Sequence, residues 1–227
     1  MKFLKLSIAT LAAATILQGC ANQQDQATAA MSDSLNGQFA SYSDMQTYPG
    51  NVTCGKYQTM DFWGNIDIKD FVVIGTEAIN LPSKNDVAIF CSNDPKAAMN
   101  ATLGIDYDAQ KATIEAVIAD FESLAPALLA YEKDNGYFPW TEQTLSALVT
   151  PAKVGNPPRN FPEGGYVQSI PKDPWGNDYV YVCDPFAGVR ILYTMGTLGA
   201  DGVKGGTGEN ADIDSTDLKY FAHIERL

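Results

Sequence analysis

The segment AQKATIEAVIADFESLAPALLAYEKDNG, residues 109–136, decides the fold of the C-terminal half of this chain. Its apolar residues recur at steps of three and four, which is the period of one face of an α-helix. They are Ile114, Val117, Ile118, Phe121, Leu124, Ala125, Leu128 and Tyr131. Asn135-Gly136 is typical of a helix C-terminus at which the glycine takes the left-handed conformation. Pro126, inside the pattern, removes one backbone hydrogen bond of the helix. We therefore predict one long helix over residues 107–134.

Short runs rich in Tyr and Val follow this helix and alternate with segments rich in Gly and Pro. Residues 166–170, 178–183 and 189–195 have the composition of β-strands. A shorter helix is predicted before them, with Thr141 as its N-cap and its end near Val149. A helix followed by a small antiparallel sheet is an α+β arrangement. The predicted fold class is therefore α+β, with the long helix packed on the sheet.

A smaller module, mixed or β-rich, is predicted over residues 37–104. Residues 71–74 and 87–91 are short apolar runs bounded by turn residues, which favours buried strands. Asp94-Pro95 is typical of a helix start, so a short helix is predicted over residues 96–103, ended by Gly104. No motif in this module indicates a chemical activity, and its role stays open.

The first twenty residues predict export and lipidation. Lys2 and Lys5 precede an uncharged run, residues 6–17, that is too short to span a bilayer but fits a signal peptide. The run ends in Leu17-Gln18-Gly19-Cys20, which resembles the lipobox of bacterial lipoproteins. The resemblance implies removal of residues 1–19 and acylation of Cys20; the alternative is an ordinary secretory signal that contains a cysteine. Several acyl chains together hold a membrane firmly.

The residues after Cys20 predict how the protein is displayed. Residues 20–36 are rich in Ala, Gln, Asn and Ser, and we predict a flexible tether. The dipeptide Ala21-Asn22 lacks the Asp that often retains bacterial lipoproteins in the inner membrane, which favours the outer membrane, facing the periplasm. Exposure on the cell surface stays open. Loss of residues 1–19 takes the formal net charge from −12 to −14, which argues against nucleic-acid binding and fits a cation ligand.

Three cysteines remain beside Cys20, an odd number for an oxidising compartment. Cys54 and Cys91 lie in one predicted module, so we favour a disulfide between them. Cys183 is then a free thiol, and burial as a small apolar residue is its simplest interpretation. The chain has one histidine, His223, and no CxxC pair, so no zinc site is predicted.

The C-terminal module resembles the major pseudopilin, protein G, of the bacterial type II secretion system. The resemblance covers residues 109–213 and rests on several motifs in the same order. They are LAYEKDNGYFP at 129–139, TEQ at 141–143, LSALV at 145–149, IPKDPWGN at 170–177, LGADG at 198–202 and GGTGENADI at 205–213. The resemblance implies a pseudopilin head domain, which we place at residues 105–227.

Residues 198–214 combine five glycines with several carboxylates. Glycines let the backbone turn sharply and present carbonyl oxygens, and calcium takes about six to eight oxygen ligands in flexible geometry. From composition alone, a solvated acidic turn is an equal alternative. The resemblance implies a calcium site, formed by the side chains of Asp201, Asn210 and Asp212 and the backbone oxygens of Leu198 and Val203. Asn210 stands where Asp is frequent in the family, so we expect a lower affinity.

The chain departs from that family before residue 105. A pseudopilin carries a long apolar helix there, which builds the pseudopilus, whereas this chain has the lipobox and the module at 37–104. We therefore expect a non-polymerising accessory component of protein secretion across the outer membrane. Its expected partners are the pseudopilus, the outer-membrane channel or secreted proteins, and neither nucleic acid nor a small-molecule substrate. The alternative is a calcium-stabilised envelope lipoprotein with an adhesive or structural role.

Enzyme activity is not predicted. Asp134 and Glu142 are two carboxylates close in sequence, as an acid–base pair would need. Their positions at predicted helix ends are better explained by the helix dipole and by solvation. No nucleophile beside a base occurs in the motifs of the resemblance, and the oligomeric state stays open.

Overall fold

The computed structural model describes residues 9–183 and 193–227, with side chains described from residue 22 onward. The chain divides into two compact units. The first comprises residues up to Thr102 together with His223–Leu227, and the second is Leu103–Ala222. The predicted boundary after residue 104 lies two residues from this division. Residues 223–227, which we had placed in the C-terminal domain, group with the first unit.

The first unit is built on an antiparallel sheet with helices before and after it. Among the described residues the sheet has four strands in the order β1-β2-β3-β4. The elements are α1 Ala9–Ser34, β1 Ala40–Tyr48, β2 Val52–Met60, β3 Ile66–Ile74, β4 Glu77–Ile79, α2 Lys84–Phe90 and α3 Pro95–Leu103. The strand at Phe71–Ile74 and the helix after Asp94 are as the sequence predicts, and Asp94 caps that helix through the Ala97 N–H.

The flexible tether predicted for residues 20–36 is wrong over most of its length. Helix α1 continues to Ser34, and Ala27 and Met31 are fully buried against the sheet. Their partners are Tyr57, Phe71 and Val73. Alanine is the strongest helix former, and Ala27 and Met31 are four residues apart, so a polar composition conceals a narrow apolar face.

The strand predicted at residues 87–91 is also wrong, because this segment belongs to helix α2. Ser83 and Asp86 form a capping box: the Ser83 hydroxyl accepts the Asp86 N–H, and the Asp86 carboxylate accepts the Ser83 N–H. Ile89 and Phe90 are fully buried. A short apolar run fits a buried helix as well as a buried strand, and the cap is the signal that distinguishes them.

A disulfide joins Cys54 on β2 to Cys91, directly after α2, and this is the pair that the sequence favours. The C-terminal residues of the chain complete the same unit. The His223 ring packs edge-on against Phe90 with 5.2 Å between the ring centroids. His223 is only 2% exposed, so the last turn of the chain contributes to the core of the first unit.

The second unit begins with the predicted long helix, α4, which spans Tyr107–Asn135. Asp106 caps it through the Ala109 N–H, and Gly136 ends it in the left-handed conformation at φ 84°. Its buried residues include Ile114, Val117, Phe121, Leu124, Leu128 and Tyr131, as the periodicity predicts. Pro126 lies within the helix without ending it.

Helix α4 packs on a small antiparallel sheet, which confirms the α+β prediction. The described strands are β5 Val180–Val182, β6 Thr194–Thr197 and β7 Ile213–Asp214, in the order β5-β6-β7. Tyr179 links helix and sheet, because its ring lies 5.4 Å from that of Phe121 and its hydroxyl donates to Asp120 Oδ2 at 2.5 Å. Burial and this bond to a carboxylate raise the pKa of the Tyr179 hydroxyl.

The remaining predictions for this unit are met in part. The shorter helix after Thr141 is two 3₁₀ turns, Thr141–Gln143 and Leu145–Leu148. Residues 166–170 form no strand, and the Tyr166 and Val167 N–H groups both donate to the Leu148 carbonyl instead. Of the strand predicted at 189–195, residues 189–192 lie outside the described residues. A further 3₁₀ turn, Ser215–Asp217, and helix α5, Leu218–Ile224, end the chain.

Within the described residues, no helix is long and apolar enough to cross a membrane.

Candidate functional site

The predicted calcium loop, residues 198–214, begins directly after β6 and ends within β7, so residues 198–212 connect the two strands. The strands pair through Thr197 with Ile213 and Gly196 with Asp214, so the two ends of the loop are held side by side. A 3₁₀ turn, Gly208–Asn210, lies within it. The antiparallel pair therefore fixes where the loop starts and returns, and the loop fills the space beyond the strand ends.

Two glycines let the loop fold back on itself. Gly199 has φ +69° and a Cβ there would lie 2.6 Å from the Asn210 carbonyl carbon. Gly206 has φ +96° and its Cβ would overlap the Asn210 carbonyl oxygen. Both positions combine a backbone conformation that side chains rarely adopt with a closely approaching chain. Asn210 is thus enclosed by backbone from two directions, and any side chain at Gly199 or Gly206 would open the loop.

Hydrogen bonds across the loop hold this conformation. The Ala200 N–H donates to the Glu209 carbonyl at 2.8 Å, which joins the outgoing and returning segments. The Gly205 N–H donates to Asp212 Oδ2 at 2.9 Å, and the Val203 N–H donates to Asp201 Oδ1 at 3.0 Å. Two of the predicted ligand carboxylates therefore already organise the backbone around them.

Among the predicted ligands, Asp212 has a carboxylate oxygen whose hydrogen-bonding capacity is not satisfied by the described residues. Its Oδ1 atom is buried, and among the described residues it has no hydrogen-bond partner. A buried carboxylate oxygen without a donor costs free energy, because it loses its water and gains nothing in return. A bound cation would remove that cost. The donor set, carboxylate and amide oxygens with backbone carbonyls, is the set that calcium prefers, so the residues fit the predicted metal.

The other predicted ligands lie on the same loop with different exposure. Asp201 and Asn210 are exposed, whereas Leu198 and Asp212 are half-buried. The Val203 side chain is 62% exposed, and its predicted ligand is the backbone carbonyl oxygen. Within the described residues, no three Asp, Glu, His or Cys side chains form a metal-binding group. The predicted set needs only two carboxylates, and carbonyl and amide oxygens complete it.

A buried carboxylate outside the loop supports its first turn, and sequence reasoning missed it. Asp173 is 4% exposed. Its Oδ1 accepts the N–H groups of Trp175 and Asn177, and its Oδ2 accepts the Thr197 hydroxyl at 2.6 Å. Thr197 Oγ1 in turn accepts the Gly199 N–H. The Asp-Pro-Trp-Gly-Asn turn, residues 173–177, therefore positions the start of the loop.

The far side of the loop is held by the start of helix α4. Gln110 Nε2 donates to the Gly208 carbonyl at 2.7 Å, and the Gly208 N–H donates to the Gly104 carbonyl at 2.8 Å. Gln110 is 5% exposed, which is unusual for this residue type. A glutamine on the buried stripe of α4 was the one sequence signal that could have identified this contact.

The residues that follow the loop bring further negative charge. Burial raises the pKa of the Asp217 carboxyl to about 6, and the charges of Asp214 and Asp212 add to the effect. Asp217 accepts the Asp214 N–H, which partly opposes the rise. Several carboxylates are thus held close together where a cation would relieve their repulsion.

The second unit also has an open groove of about 710 Å³ beside α4. Its walls are mostly apolar and include Phe121, Leu129, Phe138, Tyr193 and Met195, with Glu122 and Glu132 among its lining residues. The two carboxylates considered for catalysis do not line it. Asp134 instead accepts the Tyr166 hydroxyl at 3.1 Å, at the end of α4.

The remaining predicted site residues are cysteines. Among the described cysteines, Cys183 forms no disulfide, and it is 1% exposed. Cys20 falls within the bounds of α1, but its side chain lies outside the part of the chain whose side chains are described.

Comparison with known proteins finds one family over the second unit. Residues 105–216 match the family described as type II secretion system (T2SS), protein G. Type II secretion system core protein G of Vibrio cholerae is 45% identical over 113 residues, which are 49% of this chain and 74% of that protein. The Pseudomonas aeruginosa core protein G is 41% identical over 108 residues, or 47% of this chain and 73% of that protein.

A solved structure gives a corresponding match. The major pseudopilin from the type 2 secretion system of enterohaemorrhagic Escherichia coli shares 36% sequence identity and covers 48% of this chain and 90% of that chain, with a TM-score of 0.41.

Proposed function

Because this chain belongs to the type II secretion system protein G family through residues 105–216, we propose that it is a calcium-binding, lipid-anchored accessory component of protein secretion. It acts in the cell envelope, held by acyl chains on Cys20. It assists the secretion machinery without entering the pseudopilus as a standard subunit.

The calcium proposal is carried by the buried, unpartnered Oδ1 atom of Asp212. Asp201, Asn210 and Asp212 would hold the ion by their side chains, with Leu198 and Val203 by their backbone oxygens. When bound, calcium supplies positive charge that offsets the repulsion among the neighbouring carboxylates. The chain's own residues prepare the site: Asp173 and Gln110 fix its two flanks, and Gly199 and Gly206 allow the loop to close.

The accessory role rests on what precedes the family domain. Helix α3, Pro95–Leu103, ends just before it, and the disulfide-linked sheet of the first unit comes earlier in the chain. The resemblance places a polymerising apolar helix in this position of a pseudopilin. A folded unit in the same position would prevent the helix-to-helix packing on which such a fibre depends.

Calcium binding is tested by thermal melts of the whole chain with calcium and with a chelator. At a calcium concentration 100 times the dissociation constant, the second unit should gain about 2.7 kcal/mol. Asp212→Asn should lose most of this gain, because it removes the buried charge. Glu209→Gln is the matched control: it removes a charge from an exposed side chain of the same loop, and we expect it to keep the gain. Equal melts with calcium and chelator in the wild-type chain would refute the site.

The anchor and the accessory role are tested in cells. Labelled palmitate should enter the wild-type chain and the Cys183→Ser control, and not Cys20→Ser. Deletion of the gene should lower secretion of type II substrates, and Cys20→Ser should restore less secretion than the wild type. Unchanged secretion after deletion would favour the alternative of a structural envelope lipoprotein.

A further inference from the structure

The sheet of the first unit has one covered face and one that is bare over half its length. Tyr57, Phe71 and Val73 point toward α1 and are buried there. Side chains alternate along a strand, so Cys54, Lys56, Gln58 and Met60 point to the opposite face. Only the Cys54 end of that face is covered, by the disulfide to Cys91. Toward the β2–β3 turn, no described element lies over it.

The bare half carries an apolar patch of six side chains. They are Met60 (60% exposed), Phe62 (93%), Trp63 (82%), Ile66 (56%), Ile68 (60%) and Leu81 (68%). Met60 and Ile66 are direct cross-strand partners in the middle of this patch. Single exposed apolar residues are ordinary, whereas a contiguous set of this kind marks a contact surface.

Phe62 and Trp63 form an aromatic tip on a rigid turn. Asp61 Oδ1 accepts the N–H groups of Trp63 and Asn65, and its Oδ2 accepts the Asn65 side-chain amide, all at 2.8 Å. The Asp61 N–H donates to the Asn65 carbonyl. The two rings contact each other edge-on, with centroids 5.5 Å apart. The tip is therefore pre-ordered, so little conformational entropy is lost when it binds.

At the other end of the same patch lies a shallow hollow of about 490 Å³. It is lined by Lys56, Ile68, Lys69, Asp70, Leu81 and Pro82. Ile68, Leu81 and Pro82 give the hollow an apolar floor that suits an aromatic ring. Both lysines beside it are ion-paired, Lys56 with Asp44 at 3.5 Å and Lys69 with Asp67 at 2.8 Å. At the tip, the hydrogen bonds from Asn65 hold the pKa of Asp61 below its usual value.

We propose that this patch binds a second copy of the chain in a reciprocal two-fold dimer. The aromatic tip of each copy, Phe62 and Trp63, enters the hollow of the other. In a two-fold interface the same surface serves both copies, so a projection and a complementary hollow must lie on one patch. They do so here, and Met60 and Ile66 lie between them, where the two-fold axis would pass.

Area and charge favour a second copy over a bilayer. Two aromatic side chains bury roughly 150–250 Å² each, and with four aliphatic ones the patch approaches the roughly 800 Å² per partner of a standard interface. A bilayer would have to accept the ionised Asp61 at the leading edge of the tip, which is costly in hydrocarbon. At a protein interface Asp61 can stay on the polar, solvated rim. This inference does not depend on secretion or on calcium.

Sedimentation analysis of the whole chain in mild detergent tests the dimer. We expect a reversible dimer, and Phe62→Ser with Trp63→Ser should raise its dissociation constant more than about tenfold. Val154→Ser is the matched control, because Val154 is a 54% exposed apolar residue in the second unit. Far-UV circular dichroism should be unchanged in all variants, since the altered side chains are exposed.

A crosslinking measurement locates the axis. Met60→Cys should form an intermolecular disulfide with its own copy under mild oxidation, and Val154→Cys should not. A wild-type chain that stays monomeric at every concentration would overturn the proposal, as would a dimer with the same dissociation constant in the tip variant. A monomer that floats with phosphatidylcholine vesicles through the tip would also overturn it, and would assign the patch to a bilayer.

Discussion

Each unit of this protein contains a turn built around an aspartate, and the two aspartates differ in one respect. Asp61 in the first unit uses both carboxylate oxygens to accept donors from its own turn. Asp212 in the second unit uses one oxygen in this way and leaves the other buried and unpartnered among the described residues. The Asp61 carboxylate is fully engaged by its own turn, whereas the calcium ion that we propose would supply the missing partner of Asp212. The oxygen that the surrounding chain leaves without a donor is therefore the observation on which the proposed metal site rests.

Removal of the Cys54–Cys91 disulfide should produce the largest difference in stability between the two units. The bond closes a sequence separation of 37 residues, and the chain-entropy relation for a loop of this length gives about 4 kcal/mol. Cys54→Ser with Cys91→Ser should therefore destabilise the first unit by about that amount. Hydrogen exchange read by mass spectrometry checks it, and the second unit is the internal control. Equal loss of protection in both units would show that they do not unfold independently.

Asp173→Ala should have the next largest effect, on the second unit. It leaves the Trp175 and Asn177 N–H groups and the Thr197 hydroxyl without their acceptor, which costs about 3 kcal/mol. Calcium should bind more weakly as well, because Thr197 positions Gly199. Denaturant unfolding and a calcium titration measure the two effects. Asp178→Ala, an exposed carboxylate nearby, should change neither, and an equal effect of both substitutions would contradict the role given to Asp173.

The smallest expected effect is a pH dependence of opposite sign in the two units, measured without calcium. Burial lowers the pKa of His223 below its usual value, so the first unit should lose stability as pH falls through about 6.5. Burial raises the pKa of Asp217 to about 6, so the second unit should gain stability, up to about 2 kcal/mol, as pH falls from 7 toward 4.

Single substitutions test which residue causes the pH dependence of the stability of each unit. Asp217→Asn should flatten the response of the second unit and leave that of the first, while His223→Leu should do the reverse. Hydrogen exchange at several pH values, corrected for the intrinsic exchange rate, gives the stability of each unit. Profiles of the same sign in both units would mean that other groups dominate.

Helix α4 could be predicted almost to the residue because all its signals are local and agree. The apolar period and the Asn135-Gly136 end point to the same element, and the structure adds the Asp106 cap at its start. The strand predicted at residues 87–91 was wrong because five consecutive apolar residues show neither a helical nor a strand period. The Ser83–Asp86 cap before them, which indicates a helix, was overlooked. The flexible tether predicted in place of helix α1 was wrong for the opposite reason. The apolar face of this helix is narrow, with Ala27 and Met31 buried within an otherwise polar stretch.

The candidate site was predicted in part. The glycines and carboxylates of the loop are adjacent in sequence, so composition and the family resemblance identify them together. The residues that support the loop are distant in sequence. Asp173 reaches Thr197 across 24 positions and Gln110 reaches Gly208 across 98. A single sequence does not name the partner in such a pair, although a glutamine on the buried stripe of α4 indicates that Gln110 has one.

The grouping of residues 223–227 with the first unit has a consequence for how the protein matures. Most of the first unit is synthesised before the second unit, whereas the imidazole that packs on Phe90 is synthesised after it. The second unit is in effect an insertion between two parts of the first, and it can fold while its host is still unfinished. The core around Phe90 can therefore close only after the second unit has been synthesised, and a chain that stops before His223 would leave that core open to proteases.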